Sequence, residues 1–119
     1  MVITMLLWSG EWKRQEKLMY VDKILSIDDI TRLVRVQAQK YGVARMCLFG
    51  SYARNEQTPQ SDIDLRIDKG NVKGLEIASL LLDLEDSLQK KVDLLTTGAA
   101  SESFLKMIRP EEKLIYEAE

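Results

Sequence analysis

Apolar residues recur three and four places apart from Ile30 through Leu33 and Val34 to Ala38, a spacing that predicts an amphipathic helix with one buried stripe. Ser26 stands ahead of it with Asp29 three residues on, in the manner of a capping box, and Tyr41 and Gly42 supply its end. Residues 44–49 form a short apolar run, read as a strand that closes on a glycine turn at Gly50 and opens a short helix. Strict alternation follows over 62–68, where Asp62, Asp64, Arg66 and Asp68 share one face of a strand and Ile63, Leu65 and Ile67 share the other. One face is acidic and the other belongs to the core. After a loop through Lys69, Gly70 and Asn71, the pattern predicts a longer helix over 73–89 and a short strand over 91–95. A turn at Gly98, a helix over 101–108, a break at Pro110 and a terminal strand over 114–116 complete the chain, which contains no repeat. Strands interspersed with helices predict an α/β (α+β) domain: a mixed sheet with helices packed on one face, away from the acids.

The longer helix carries more apolar residues than one buried face requires. Leu75, Ile77, Ala78, Leu80, Leu81, Leu82, Leu84 and Leu88 cover well over half of its circumference, where a core-facing stripe needs about 100°. The surplus is expected to be covered either within the monomer or by a homodimer or partner contact. Residues before Ile24 follow the pattern least, so the chain divides into an extension over 1–23 and a domain over 24–119. The apolar run 2–8 is too short to span a bilayer and lacks a basic leader, which implies no membrane association and a cytoplasmic protein. Arg14, Gln15, Glu16 and Lys17 permit purine-rich codons ahead of Met19, making Met19 an alternative start. The other reading is a partner-binding segment that uses Trp8 and Trp12.

Composition narrows the chemistry. With 119 residues, 45% of them hydrophobic, the chain can bury one modest core. A net charge of −2 provides no broad cationic surface, so extended nucleic-acid binding and templated polymerisation are not expected. Histidine is absent, which removes imidazole acid-base chemistry and the commonest zinc ligand. The single Cys47 lies in an apolar strand and reads as core in a reducing compartment.

The candidate chemistry sits where the first strand ends. Gly50 and Ser51 are followed after ten residues by Asp62 and Asp64. Glycine lets the main chain approach a ligand closely, serine adds a hydroxyl at a helix start, and N–H groups exposed there favour phosphate. Two carboxylates at i and i+2 repel each other unless solvated or neutralised, and beside a phosphate site the usual neutraliser is a divalent cation. The pair predicts Mg²⁺, with Mn²⁺ also suited to oxygen ligands. Asp93 in the strand over 91–95 is placed to face the first two, and three acids suffice for two metal ions. One ion then activates an attacking hydroxyl while the other steadies a leaving pyrophosphate, which is nucleotidyl transfer. Arg54 is a candidate nucleotide-binding residue with Gly50 and Ser51, or a partner for Glu56. Arg66 either neutralises a carboxylate or touches the triphosphate, and the ion pair is favoured. Taken singly, a Gly-Ser turn, a solvated acidic strand face and a strand-edge aspartate are all ordinary; their conjunction at this spacing carries the reading.

On these residues the chain resembles the DNA polymerase beta-like nucleotidyltransferase superfamily, and within it the minimal single-domain MNT proteins, over residues 27–117. The resemblance implies that Gly50 and Ser51 bind the triphosphate of ATP or another NTP, that Asp62 and Asp64 bind both metals, and that Asp93 completes the site nearest the acceptor hydroxyl. It implies transfer of a nucleoside monophosphate, AMP from ATP, to a hydroxyl of another molecule. Proteins of this kind are typically encoded beside HEPN-domain ribonuclease toxins, so the resemblance also implies an antitoxin that modifies a tyrosine of its toxin. Two rivals stand beside it. An antitoxin acting by binding alone is disfavoured by the intact acid triad, and a small-molecule nucleotidyltransferase by the lack of a second domain to form an acceptor pocket.

Overall fold

A computed structural model describes residues 23–119; the run 2–8, the Trp8 and Trp12 segment and the Met19 start lie outside the described residues. Helix α1 spans Ile27–Tyr41. Its start is set by the Ser26 hydroxyl, which accepts the Asp29 N–H at 3.0 Å, and by the negative charge of Asp28 and Asp29 in the first turn. It ends at Gly42, whose φ of +79° is the left-handed conformation that glycine adopts without a Cβ clash. Strand β1, Arg45–Phe49, runs directly into the four-residue helix α2, Gly50–Ala53. Then come β2 (Ile63–Asp68), α3 (Glu76–Leu88), β3 (Val92–Thr96), a 3₁₀ turn (Thr97–Ala99), α4 (Glu102–Ile108) and β4 (Lys113–Glu117).

The strands form one mixed sheet in the order β3-β2-β1-β4, with β1 antiparallel to β2 and β4 and β2 parallel to β3. Alternation decides the two faces. Met46, Leu48, Ile63, Leu65 and Ile67 are fully buried under Ile30, Val34 and Ala38 of α1 and Leu80, Leu84 and Leu88 of α3. Both helices present residues four apart, the stripe that one face of a helix lays on a sheet.

Helix α3 begins at Glu76, later than the apolar periodicity suggests. No Ser, Thr, Asp or Asn stands at 73–75 to cap an earlier start; instead the Glu76 carboxylate turns back to accept the Lys73 N–H at 2.9 Å. Its apolar surplus is only partly covered: Ile77 and Leu81 pack against the core, whereas Leu75 and Leu82 are exposed. The α/β class stands as expected, with one refinement. The two long helices pack away from the acids, but α4 lies on the acid-bearing face, where Phe104, Leu105 and Ile108 join Phe49 and Leu95 in a second small core. Phe49 and Phe104 meet edge to face with ring centres 5.9 Å apart. Among the described residues, no helix is long and apolar enough to cross a membrane.

Candidate active site

Strand pairing places Phe49, Asp64 and Asp93 in one row across β1, β2 and β3, and Cys47, Arg66 and Leu95 in the next. Residues opposed in register project from the same face, so the Asp64 and Asp93 side chains meet and share a hydrogen bond. Gly50 lies against Asp64. Its φ is +76°, and a Cβ there would fall 2.0 Å from Asp64 Oδ2 and 2.9 Å from Asp64 Cγ. Only glycine lets the turn take this conformation and this contact. The turn is anchored from below by Tyr52, which is fully buried in the main core and whose hydroxyl accepts the Leu25 N–H at 3.3 Å. Ser51 follows in the first turn of α2, half-buried.

Burial, the hydrogen bond to Asp93 and the charges of Asp93 and Asp62 push the Asp64 carboxyl up to about 7, with the Arg54 guanidinium opposing them. Two carboxyls brought together mark a place where positive charge is wanted. The structure thus joins Asp64 to Asp93 directly. Asp62, just ahead of β2, acts on Asp64 through its charge alone and faces Lys91 Nζ at 3.9 Å. Among the described residues, no group of three or more Asp, Glu, Cys or His side chains is arranged to hold a metal ion.

Arg54 is exposed and divides its guanidinium between Glu56, at 2.9 Å, and Glu111, at 3.1 and 3.2 Å to its two oxygens. Glu111 also accepts the Gly50 N–H at 2.7 Å. Arg66 is buried and ion-paired: its guanidinium reaches Glu112 at 3.0 Å, the Thr97 hydroxyl at 2.6 Å and Asp68 at 3.3 Å. The Glu112 hydrogen bond holds it firmly charged. This fork ties β2 to the segments after β3 and before β4, so Arg66 is engaged on the sheet side rather than free for a ligand. Cys47 is buried beside it, and burial pushes its thiol up.

Glu111, Glu112 and Thr97 escape a reading of the sequence. Glu111 and Glu112 look like solvated acids after a proline, and a separation of 61 residues hides the contact with Gly50. The acidic doublet ahead of the last strand is the one sequence signal that could have singled out the two glutamates.

Residues 31–119 match the family described as "Polymerase beta, Nucleotidyltransferase". A Methanocaldococcus jannaschii protein named "putative protein adenylyltransferase" is 44% identical over 73 residues, covering 60% of this chain and 78% of that one. The fold is similar to that of a chain in a toxin–antitoxin crystal structure with AMP-PNP, with a TM-score of 0.63, 22% identity and coverage of 80% of this chain and 76% of that one. It is also similar to a chain of the tri-AMPylated Shewanella oneidensis HEPN toxin in complex with MNT antitoxin, at a TM-score of 0.55, 21% identity and coverage of 78% and 71%. These structural likenesses are of fold. With three quarters of its length matched by the family and its glycine turn seated on a paired carboxylate, the chain belongs to the polymerase beta nucleotidyltransferases.

Proposed function

We propose that the protein transfers AMP from ATP, in a Mg²⁺-dependent reaction, to a hydroxyl of a protein partner, and that the partner is a HEPN-domain toxin modified on tyrosine. The observation that carries the chemistry is the Asp64–Asp93 pair, with Gly50 pressed against Asp64. Two hard oxygen donors brought side by side suit a small divalent cation. Support for ATP and for a protein acceptor comes from the 44%-identical relative's name, and the HEPN partner from the resemblance and the fold shared with toxin–antitoxin complexes.

In this reading Gly50, Ser51 and Arg54 would receive the triphosphate, and Asp62, Asp64 and Asp93 are the acids that would turn to hold two metal ions. When bound, Mg²⁺ neutralises the carboxylates, favours ionisation of the acceptor hydroxyl and offsets charge on the departing pyrophosphate. The acceptor oxygen bonds to the α-phosphorus as the bond to the bridging oxygen breaks, so AMP stays on the acceptor and pyrophosphate leaves. Asp93, on the outer strand and exposed, is the acid that faces the incoming hydroxyl and receives or directs its proton. Residues 24–119 form the catalytic domain, and the reaction belongs to the cytoplasm.

Calorimetry with Mg²⁺ and a non-hydrolysable ATP analogue tests the site. The parent is expected to bind both ligands together, and Asp64→Asn to lose that binding while keeping its circular dichroism spectrum. Equal binding by parent and variant places the site elsewhere.

A further inference from the structure

Glu111 holds two of the groups assigned above to the nucleotide. Its carboxylate takes the Gly50 N–H at 2.7 Å on one oxygen and Arg54 Nη1 at 3.1 and 3.2 Å across both. A main-chain N–H and a guanidinium converging on one anion is the donor set that a phosphate oxygen requires. We propose that Glu111 is a built-in competitor for the triphosphate, occupying its donors until a nucleotide displaces it, an inference that rests on the nucleotide reading of Gly50 and Arg54.

The surroundings are built for exchange. The turn that carries Glu111 is fixed: its own N–H donates to the Ile108 carbonyl at 3.0 Å, and the next residue, Glu112, is locked to buried Arg66 at 3.0 Å. The Glu111 side chain can therefore rotate out on its two methylenes while the turn stays in place. Arg54 keeps a second carboxylate, Glu56, at 2.9 Å, and so is not stranded during the exchange. The consequence is selection by charge. A ligand that brings a polyphosphate replaces every bond that Glu111 gives up, whereas a ligand with a single phosphate replaces fewer of them.

The test is calorimetric titration of Mg²⁺ with a non-hydrolysable ATP analogue, with tripolyphosphate and with AMP, into the parent, Glu111→Gln, Glu111→Asp and Glu56→Gln. Glu111→Asp keeps the charge but shortens the reach, and Glu56→Gln removes a charge from Arg54 without touching Gly50. Both Glu111 variants are expected to bind the analogue and tripolyphosphate about fivefold to tenfold more tightly, the net scale of one hydrogen bond, with a smaller gain for AMP. Glu56→Gln is expected to change little. The Gly50 amide resonance should move in both Glu111 variants without ligand, and in the parent on adding the analogue. If the parent binds and the Glu111 variants bind no more tightly, or Glu56→Gln matches them, the competitor role is overturned while the nucleotide site stands. If neither parent nor variants bind any of the three ligands, the nucleotide reading falls and this inference with it.

Discussion

Asp64 is a carboxyl that favours its proton, and this has measurable consequences. Its value in the folded protein is raised to about 7 from an ordinary 3.8, so the metal-free folded state binds more protons than the unfolded state between those limits. The stability it contributes is present below about pH 4 and is lost as pH rises through about 7. Denaturation in chelator is expected to show a loss on the order of 1–3 kcal/mol between pH 4 and pH 8, discounted for the solvent that reaches a half-buried group. Asp64→Asn should flatten that slope and leave the variant at least as stable as the parent at pH 8. Mg²⁺ affinity should move in the opposite sense, rising with pH until Asp64 is ionised near 7, because proton and metal compete for one carboxylate. At Gly50 a methyl group meets both a positive φ and the Asp64 carboxylate, so Gly50→Ala should cost about 1–3 kcal/mol in urea denaturation and abolish nucleotide binding. The pairing of Gly50 with Asp64 was legible because both signals are local: a glycine closing a strand and acids alternating along the next. Glu111 was not, because its role is created by a contact between distant parts of the chain.

At the scale of elements, most of the fold could be read from caps and periodicities. Ser26 and Ser101 cap their helices as serines ahead of apolar runs do, and the alternation over 62–68 divides the β2 residues between core and acid face. What periodicity left open was which layer each helix joins. Helix α4 is only seven residues long, and its apolar residues meet Phe49 and Leu95 on the acid side, a choice fixed by the return of the chain into β4. The apolar surplus of α3 left exposed at Leu75 and Leu82 was visible in the sequence, whereas its burial pattern needed the sheet. The buried stripe of α3 should be energetically important: Leu84→Ala is expected to cost about 2–5 kcal/mol in urea denaturation, as a fully buried leucine truncated in a packed core does. Strand β3 carries a different prediction. Asp93 lies on the outer strand, across from Asp64, so Asp93→Asn should spare affinity for the ATP analogue yet slow transfer by at least about a hundredfold, as loss of an acid-base group does. Comparing single-turnover rates with calorimetric affinities separates the two effects.

At the scale of the whole molecule, the family was legible from the joint spacing of the glycine turn and the carboxylates, and the match over 31–119 bears that out. The acceptor is written in no single residue, since in the proposed reaction the described domain would supply the donor half and another molecule the acceptor. Following the phosphorus tests the proposed transfer most directly. The protein is incubated with Mg²⁺, a HEPN-domain partner and ATP labelled at either the α- or the γ-phosphate, and the label on protein is counted. Label is expected on a tyrosine of the partner from α-labelled ATP only, with release of pyrophosphate and no transfer by Asp64→Asn. Label arriving from the γ-phosphate, or transfer undiminished in Asp64→Asn, would contradict it.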